Sequence, residues 1–175
     1  KIKAVLVPIN WRLAASEVSY ILNDAEVELL FVGSEFHDLV KSIESELTNI
    51  KTFVTTEKTA ANWLDYTDWC QQYSDASPEI AIAPDDVAVQ LYTSGTTGRP
   101  KGVQLGHYSF FAVAKEWTRQ GQNWLNWQQT DKSLLVVPFF HIGGLWWAIR
   151  GLVAGAENIL LPAFNPIEVL EVIEK

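Results

Sequence analysis

The sequence predicts an α/β fold of mixed, mostly parallel sheet layers with flanking helices. Short apolar runs rich in β-branched residues alternate with segments of helical periodicity, the pattern of parallel strands joined by helices. The 175-residue chain is 48% hydrophobic and 19% charged, which is enough apolar material for a sizeable core. One unit breaks the alternation: residues 86–106 read as strand, loop, strand, and predict a β-hairpin.

AVLV at 4–7 reads as a buried strand, and SEVSYIL at 16–22 as a helix with Val18, Ile21 and Leu22 on one face. VELLFV (27–32) is the next strand and 33–34 a turn. EFHDLVKSIESEL (35–47) is a helix with His37 on its solvated side, and KTFVTT (51–56) a third strand. In NWLDYTDWCQQY (62–73), Trp63, Tyr66, Trp69, Cys70 and Tyr73 recur at helical spacing, which reads as core packing. The Pro-containing, acidic stretch 74–86 reads as an internal linker. DVAVQLYT (86–93) and GVQLG (102–106) are the strands of the hairpin, and a helix runs from His107 to about Gln120. SLLVVP (133–138) is a strand, FFHIGG a turn, LWWAIRGLVAG (145–155) a helix, NILLP (158–162) a strand and PIEVLEVIEK a closing helix.

Bulk properties exclude several function classes. A net charge of −8 without a basic tract argues against a nucleic-acid surface. A single cysteine, Cys70, allows neither an internal disulfide framework nor a cysteine metal cage, and fits a cytoplasmic setting. The most apolar stretch, 134–149, is interrupted by Pro138, His141, Gly143 and Gly144 and is shorter than the ~20 residues of a membrane span. The chain starts KIKAVLVPIN and stops within a helical pattern, so it is expected to be a piece of a longer protein.

The chemistry concentrates in LYTSGTTGRPKGVQLGH (91–107). Thr93, Ser94, Thr96 and Thr97 supply hydroxyl donors, Gly95, Gly98 and Gly102 remove side-chain bulk, and Lys101 adds one cation. Donors without bulk plus a positive charge describe a cradle for phosphate oxygens. The Walker loop, GxxxxGK[ST], is the obvious rival and fails here. Pro100 precedes Lys101 and Gly102 follows it, where that pattern needs Gly and Ser or Thr. VQL after Gly102 alternates like a strand, so this loop joins strand to strand and no helix N-terminus supports it.

YTSGTTGRPKG resembles the signature loop of the adenylate-forming enzymes, among them acyl-CoA synthetases, aryl-CoA ligases, peptide-synthetase adenylation domains and luciferases. PFFHIGGL (138–145) is similar to that family's Pro-x-Phe-His segment, and VPINWRL (7–13) to its early VPLNPRL stretch. LPAFNPIEVLEVIEK (161–175) resembles the segment after the pocket helix, so the matches run in order over nearly the whole chain. Arg99, Gly106 and Trp11 depart from common family residues without touching the phosphate-gripping positions.

The resemblance implies a partial N-terminal AMP-binding domain over 1–175, with the C-terminal catalytic domain outside the chain. The implied activity is that of an acid–thiol ligase, most like a fatty-acid–CoA ligase. ATP, Mg2+ and CoA are the implied cofactors and a small carboxylic acid the substrate. Thr93, Ser94, Gly95, Thr96, Thr97, Gly98, Lys101 and Gly102 are the implied nucleotide contacts, with Thr93 also near the metal. His141 and Lys101 are the implied catalytic positions, and His141, Gly143, Gly144 and Trp146 the implied acyl pocket. His107 reads as structural. A homo-oligomer is a further expectation, because a truncated sheet leaves apolar edges open. Two alternatives stand beside this reading: an adenylating enzyme for an aryl or amino acid, and a non-catalytic nucleotide-binding module.

Overall fold

The computed structural model describes residues 2–57, 62–94, 98–122 and 126–174. Three small sheets carry the described architecture, two of them parallel. The elements run α1 (Ala15–Asp24), β1 (Leu29–Val32), α2 (His37–Ile43), β2 (Thr52–Thr55), β3 (Leu64–Asp65), α3 (Tyr66–Cys70), β4 (Val87–Thr93), β5 (Lys101–Gly106), α4 (His107–Arg119), β6 (Lys132–Leu135), α5 (Ile142–Ala154), β7 (Glu157–Leu160) and α6 (Pro166–Ile173).

The first sheet is parallel in the order β1-β2-β3, with Leu29 opposite Thr52 and Val54 opposite Leu64. Parallel neighbours need a crossover, and α2 supplies the one between β1 and β2. α1 begins where the Ala14 N–H donates to the Glu17 carboxylate at 2.9 Å, which offsets one unpaired amide of the first turn. Its buried stripe, Val18 and Leu22, packs with Ile43 and Leu47 to form the first core. Spacing of four residues puts both α1 members on one face, so the stripe follows from helical period alone.

A second crossover unit is β6-α5-β7, whose two strands pair in parallel from Lys132 opposite Glu157 to Leu135 opposite Leu160. α5 ends at Gly155, which takes the left-handed conformation at φ 71°. There its N–H reaches the Leu152 carbonyl at 3.2 Å and the Ala156 N–H reaches Gly151 at 3.0 Å. The Asn158 side chain fills the space beside Gly151 and donates from Nδ2 to the Ala148 carbonyl at 3.1 Å, tying β7 to α5.

Several expectations need correction. Residues 4–7 are not a buried strand: Val5 and Leu6 are exposed, and only Leu6 makes a single parallel bridge, to Val89. The helix expected over 35–47 is α2 flanked by two 3-10 turns, Ser34–Phe36 and Glu44–Glu46. The aromatic stripe at 62–73 does not line a core. It contributes the short strand β3 and a single helical turn, and Tyr66 and Tyr73 are exposed. Its rings pack on the surface instead, Trp69 edge-on to Phe31 at 5.4 Å and to Tyr73 at 5.4 Å. His37 is half-buried and not solvated; its Nε2 lies 2.8 Å from the hydroxyl of buried Thr55, and Trp63 stands edge-on to its ring at 5.2 Å. The strand at 133–138 ends at Leu135, and α5 starts at Ile142, three residues before the expected Leu145.

Candidate active site

β4 and β5 pair antiparallel, with Thr93 opposite Lys101, Tyr92 opposite Gly102, Leu91 opposite Val103, Gln90 opposite Gln104 and Val89 opposite Leu105. Residues directly opposite each other project to the same side, and successive pairs alternate. The ribbon therefore has two distinct faces. Val89, Leu91, Thr93 and their partners form one, and Gln90, Tyr92 and theirs the other.

The first face is anchored in the second core, where Val89 and Leu91 cluster with Phe110 of α4 and Leu145 of α5. Thr93 and Lys101 continue this face past the core, and both are exposed. A hydroxyl and an ammonium thus stand side by side at the ribbon's open end. Exposed Ser94 follows directly. Gly95, Thr96 and Thr97 lie outside the described residues. Gly98 has φ 91°, with no atom of the described residues within 4 Å of where a Cβ would stand, so its backbone conformation favours glycine. Gly102 is different: a Cβ there would collide with the Gln90 amide and come within 3.1 Å of the Tyr92 ring. Its missing side chain makes room on the second face.

On that second face, the Tyr92 hydroxyl donates to Asp24 Oδ2 at 2.6 Å and accepts from Gln90 Nε2 at 2.9 Å. Burial, and then the Asp24 carboxylate, push the Tyr92 hydroxyl well above the ordinary tyrosine value, so it stays protonated as a donor. The Tyr20 hydroxyl lies 3.4 Å from both Asp24 Oδ1 and the Pro100 carbonyl. The Arg99 guanidinium sits over the Tyr20 ring at 5.4 Å.

The second candidate segment caps α5. His141 is the residue before the helix, with extended φ −105° and ψ 139°, and its N–H bonds to the Pro138 carbonyl at 3.2 Å. The imidazole is exposed and lies 4.6 Å from the Phe140 ring. Leu145, in the first turn of α5, belongs to the same core as Leu91, two residues before Thr93. One core thus fixes the strand that delivers Thr93 and the helix that delivers His141. Gly143 is exposed, and no atom of the described residues lies within 4 Å of where its Cβ would stand. Gly144 is buried, and the Val137 and Pro138 carbonyls lie 2.5 Å from where a Cβ would stand, so its smallness lets the helix approach the preceding turn. Trp146 occupies the α4–α5 seam, donating to the Phe110 carbonyl at 3.2 Å and meeting Trp117 edge-on at 6.3 Å.

Sequence reasoning did not single out Tyr20, Asp24 or Tyr92. Two signals were present: Tyr20 and Asp24 stand four apart, on one helical face, and a large ring immediately precedes the loop. Among the described residues no group of three His, Cys, Asp or Glu could hold a metal ion. The exposed Thr93 hydroxyl offers one protein oxygen at the ribbon's open end.

A family model described as "AMP-binding enzyme" matches residues 1–175. The chain belongs to the AMP-binding enzyme family. This AMP-binding chain is 39% identical over 97% of its length to the fatty acid–[acyl-carrier-protein] ligase ScoC of Streptomyces coeruleorubidus, covering 31% of that protein. It is 31% identical over 99% of its length to the long-chain-fatty-acid–CoA ligase FadD13 of Mycobacterium tuberculosis, covering 33% of it. The AMP-binding chain thus spans about a third of the length of these curated relatives. Its fold superimposes with a TM-score of 0.80 and 30% identity on the inhibitor-bound N-terminal domain of FACL13 from Mycobacterium tuberculosis, over 97% of this chain and 41% of that one. Among the described residues, no helix is long and apolar enough to cross a membrane.

Proposed function

We propose that the protein carrying this chain activates a carboxylic acid with ATP and passes the acyl group to the thiol of CoA. In the first step a carboxylate oxygen attacks the α-phosphorus, the bond to the β-phosphate oxygen breaks, and pyrophosphate leaves. In the second, the thiol sulfur attacks the acyl carbonyl, the proton is lost to solvent or base, and AMP departs. The reading extends to fatty acids because both curated relatives described above are named for them.

One observation carries the proposal. Thr93 and Lys101 are cross-strand neighbours on the face of the ribbon whose core also seats the first turn of α5, just after His141. Hydroxyl and ammonium suit the departing polyphosphate, whose negative charge grows as the bond to phosphorus breaks. Ser94 adds a donor beside them, and Gly95, Thr96, Thr97 and Gly98 complete the loop in sequence. Magnesium, held by the phosphates with Thr93 as a protein ligand, would neutralise charge on the same oxygens. His141 and Gly143 are assigned to the acid, the exposed ring orienting the carboxylate and the open glycine leaving room for the chain. Gly144 and Trp146 support this site by packing.

The test is acid-dependent exchange of label between pyrophosphate and ATP in the longer protein. Lys101→Ala should slow exchange by about 10²-fold, the scale of one lost transition-state charge contact. Exchange at the parental rate removes the phosphate assignment. ATP binding without any exchange in the parent would favour the non-catalytic module.

A second reading concerns the acceptor. The relative with 39% identity is named for an acyl-carrier protein, so that thiol competes with CoA as the natural acceptor. Thioester formation measured with each acceptor, after adenylate formation, separates the two.

A further inference from the structure

We propose that Tyr20, Asp24 and Tyr92 are positioning residues that hold the returning limb of the loop, Arg99 to Lys101, against the end of α1. The proposal rests on the reading that this loop grips the phosphates of ATP. Nothing in that reading requires α1, which lies on the opposite face of the ribbon from Thr93 and Lys101.

The contacts form one connected path. Gln90 donates to Tyr92 at 2.9 Å, Tyr92 to Asp24 at 2.6 Å, and Tyr20 bridges Asp24 and the Pro100 carbonyl at 3.4 Å each. A hydroxyl has one proton to give, so Tyr20 shares it between the carboxylate and the loop carbonyl. The Arg99 guanidinium over the Tyr20 ring gives the same limb a second hold. Pro100, held here, directly precedes Lys101.

Two residues on this path go against local preference, and that sets it apart from incidental surface bonding. Asp24 is the last residue of α1, where the helix dipole disfavours a carboxylate, and no basic residue stands in that turn. Gly102 lies inside a strand, where glycine packs nothing, yet a side chain there would strike Gln90 and Tyr92. Each is locally unfavourable and each serves the same cluster. Convergent departures of this kind mark positions held for a purpose beyond the element itself.

The purpose is the azimuth of Lys101. Its ammonium sits on a flexible stem at the first residue of β5, so a shift in the backbone before it moves the charge relative to Thr93. Fixing Pro100 limits that shift before ATP binds, and less ordering is left for binding to supply.

The experiment uses the longer protein and the variants Tyr20→Phe, Asp24→Asn and Tyr92→Phe, each close in shape to the parent. Two readouts are taken. Trypsin does not cut before proline, so cleavage after Lys101 reports how firmly the returning limb is held, whatever the loop binds. All three variants should be cut there at least roughly threefold faster, while other sites and Tm stay unchanged. KM for ATP should rise about three- to tenfold in the same variants, with KM for the acid unchanged. Unchanged cleavage after Lys101 overturns the proposal. Faster cleavage with unchanged KM for ATP also overturns it, because the anchor then has no bearing on the nucleotide. Lys101→Ala is run in parallel. If that variant exchanges pyrophosphate normally, the phosphate reading has failed on its own account, and the cleavage result still reports whether the limb is anchored.

Discussion

Gly98 and Gly102 stand four residues apart and are glycine for unrelated reasons. Gly98 needs a φ of 91°, which an L side chain rarely adopts, while Gly102 needs empty space beside Tyr92. Gly98→Ala should therefore cost about 1 kcal/mol through backbone strain alone, measurable by thermal denaturation. Gly102→Ala should displace the Gln90 amide and push the Tyr92 ring by a few tenths of an ångström, lengthening the Tyr92–Asp24 contact in a crystal structure of the variant. Asp86 gives a pH prediction at the same scale. The Ala83 N–H at 2.7 Å, and then Lys3 at 3.0 Å, hold its carboxyl below the usual carboxylate range. The folded state thus binds this proton less readily than the unfolded one. Its stabilising contribution is complete above the ordinary value of 3.8 and drains away as pH falls through the lowered one. Between those values the parent should lose stability faster than Asp86→Asn, in denaturant titrations run at stepped pH; parallel curves would remove Asp86 from the acid response.

Among the elements, α1 joins the first core to the second face of the ribbon. Leu22 is 1% exposed and faces Ile43 and Leu47, so Leu22→Ala should cost about 2–5 kcal/mol in chemical denaturation. The apolar face of α1 was legible in the sequence because Val18 and Leu22 repeat at helical period. The strands of the ribbon were legible for the same kind of reason: DVAVQLYT and GVQLG alternate, and alternation is a local property. What lay beyond the sequence was tertiary. Tyr20 and Pro100 are 80 residues apart, and no local pattern announces that they meet. The aromatic stripe at 62–73 misled because ring spacing reports a shared face without saying what covers it. Residues 4–7 misled similarly, since an apolar run alone does not fix whether its neighbours bury it. Of the candidate site, the residue types of the loop could be read from the sequence, whereas the different surroundings of Gly143 and Gly144 needed three dimensions.

At the scale of the whole molecule, large apolar areas face solvent. Phe164, Ile167, Leu170 and Ile173 repeat every three residues along α6 and its approach, and are 61% to 68% exposed. A groove of about 1120 Å³ runs between residues 2–11 and the first sheet, with Leu29, Phe31 and Trp69 in its walls. It contains none of Thr93, Ser94, Lys101 or His141, so it is no part of the candidate active site. Patches of this kind drive association in water. The 175-residue chain by itself should therefore sediment as a concentration-dependent mixture of species in analytical ultracentrifugation. A single monomeric boundary over a hundredfold range of concentration would contradict this.

The two-faced ribbon imposes a parity rule on its own sequence. One extra residue between Leu91 and Thr93 would turn the threonine toward α1 and away from the ammonium, with the strand otherwise able to form. Two extra residues would bring the hydroxyl back to the face of Lys101, but about 7 Å further along the axis and out of register with that cation. Length variation at this point thus keeps the threonine on the face of Lys101 only in even steps.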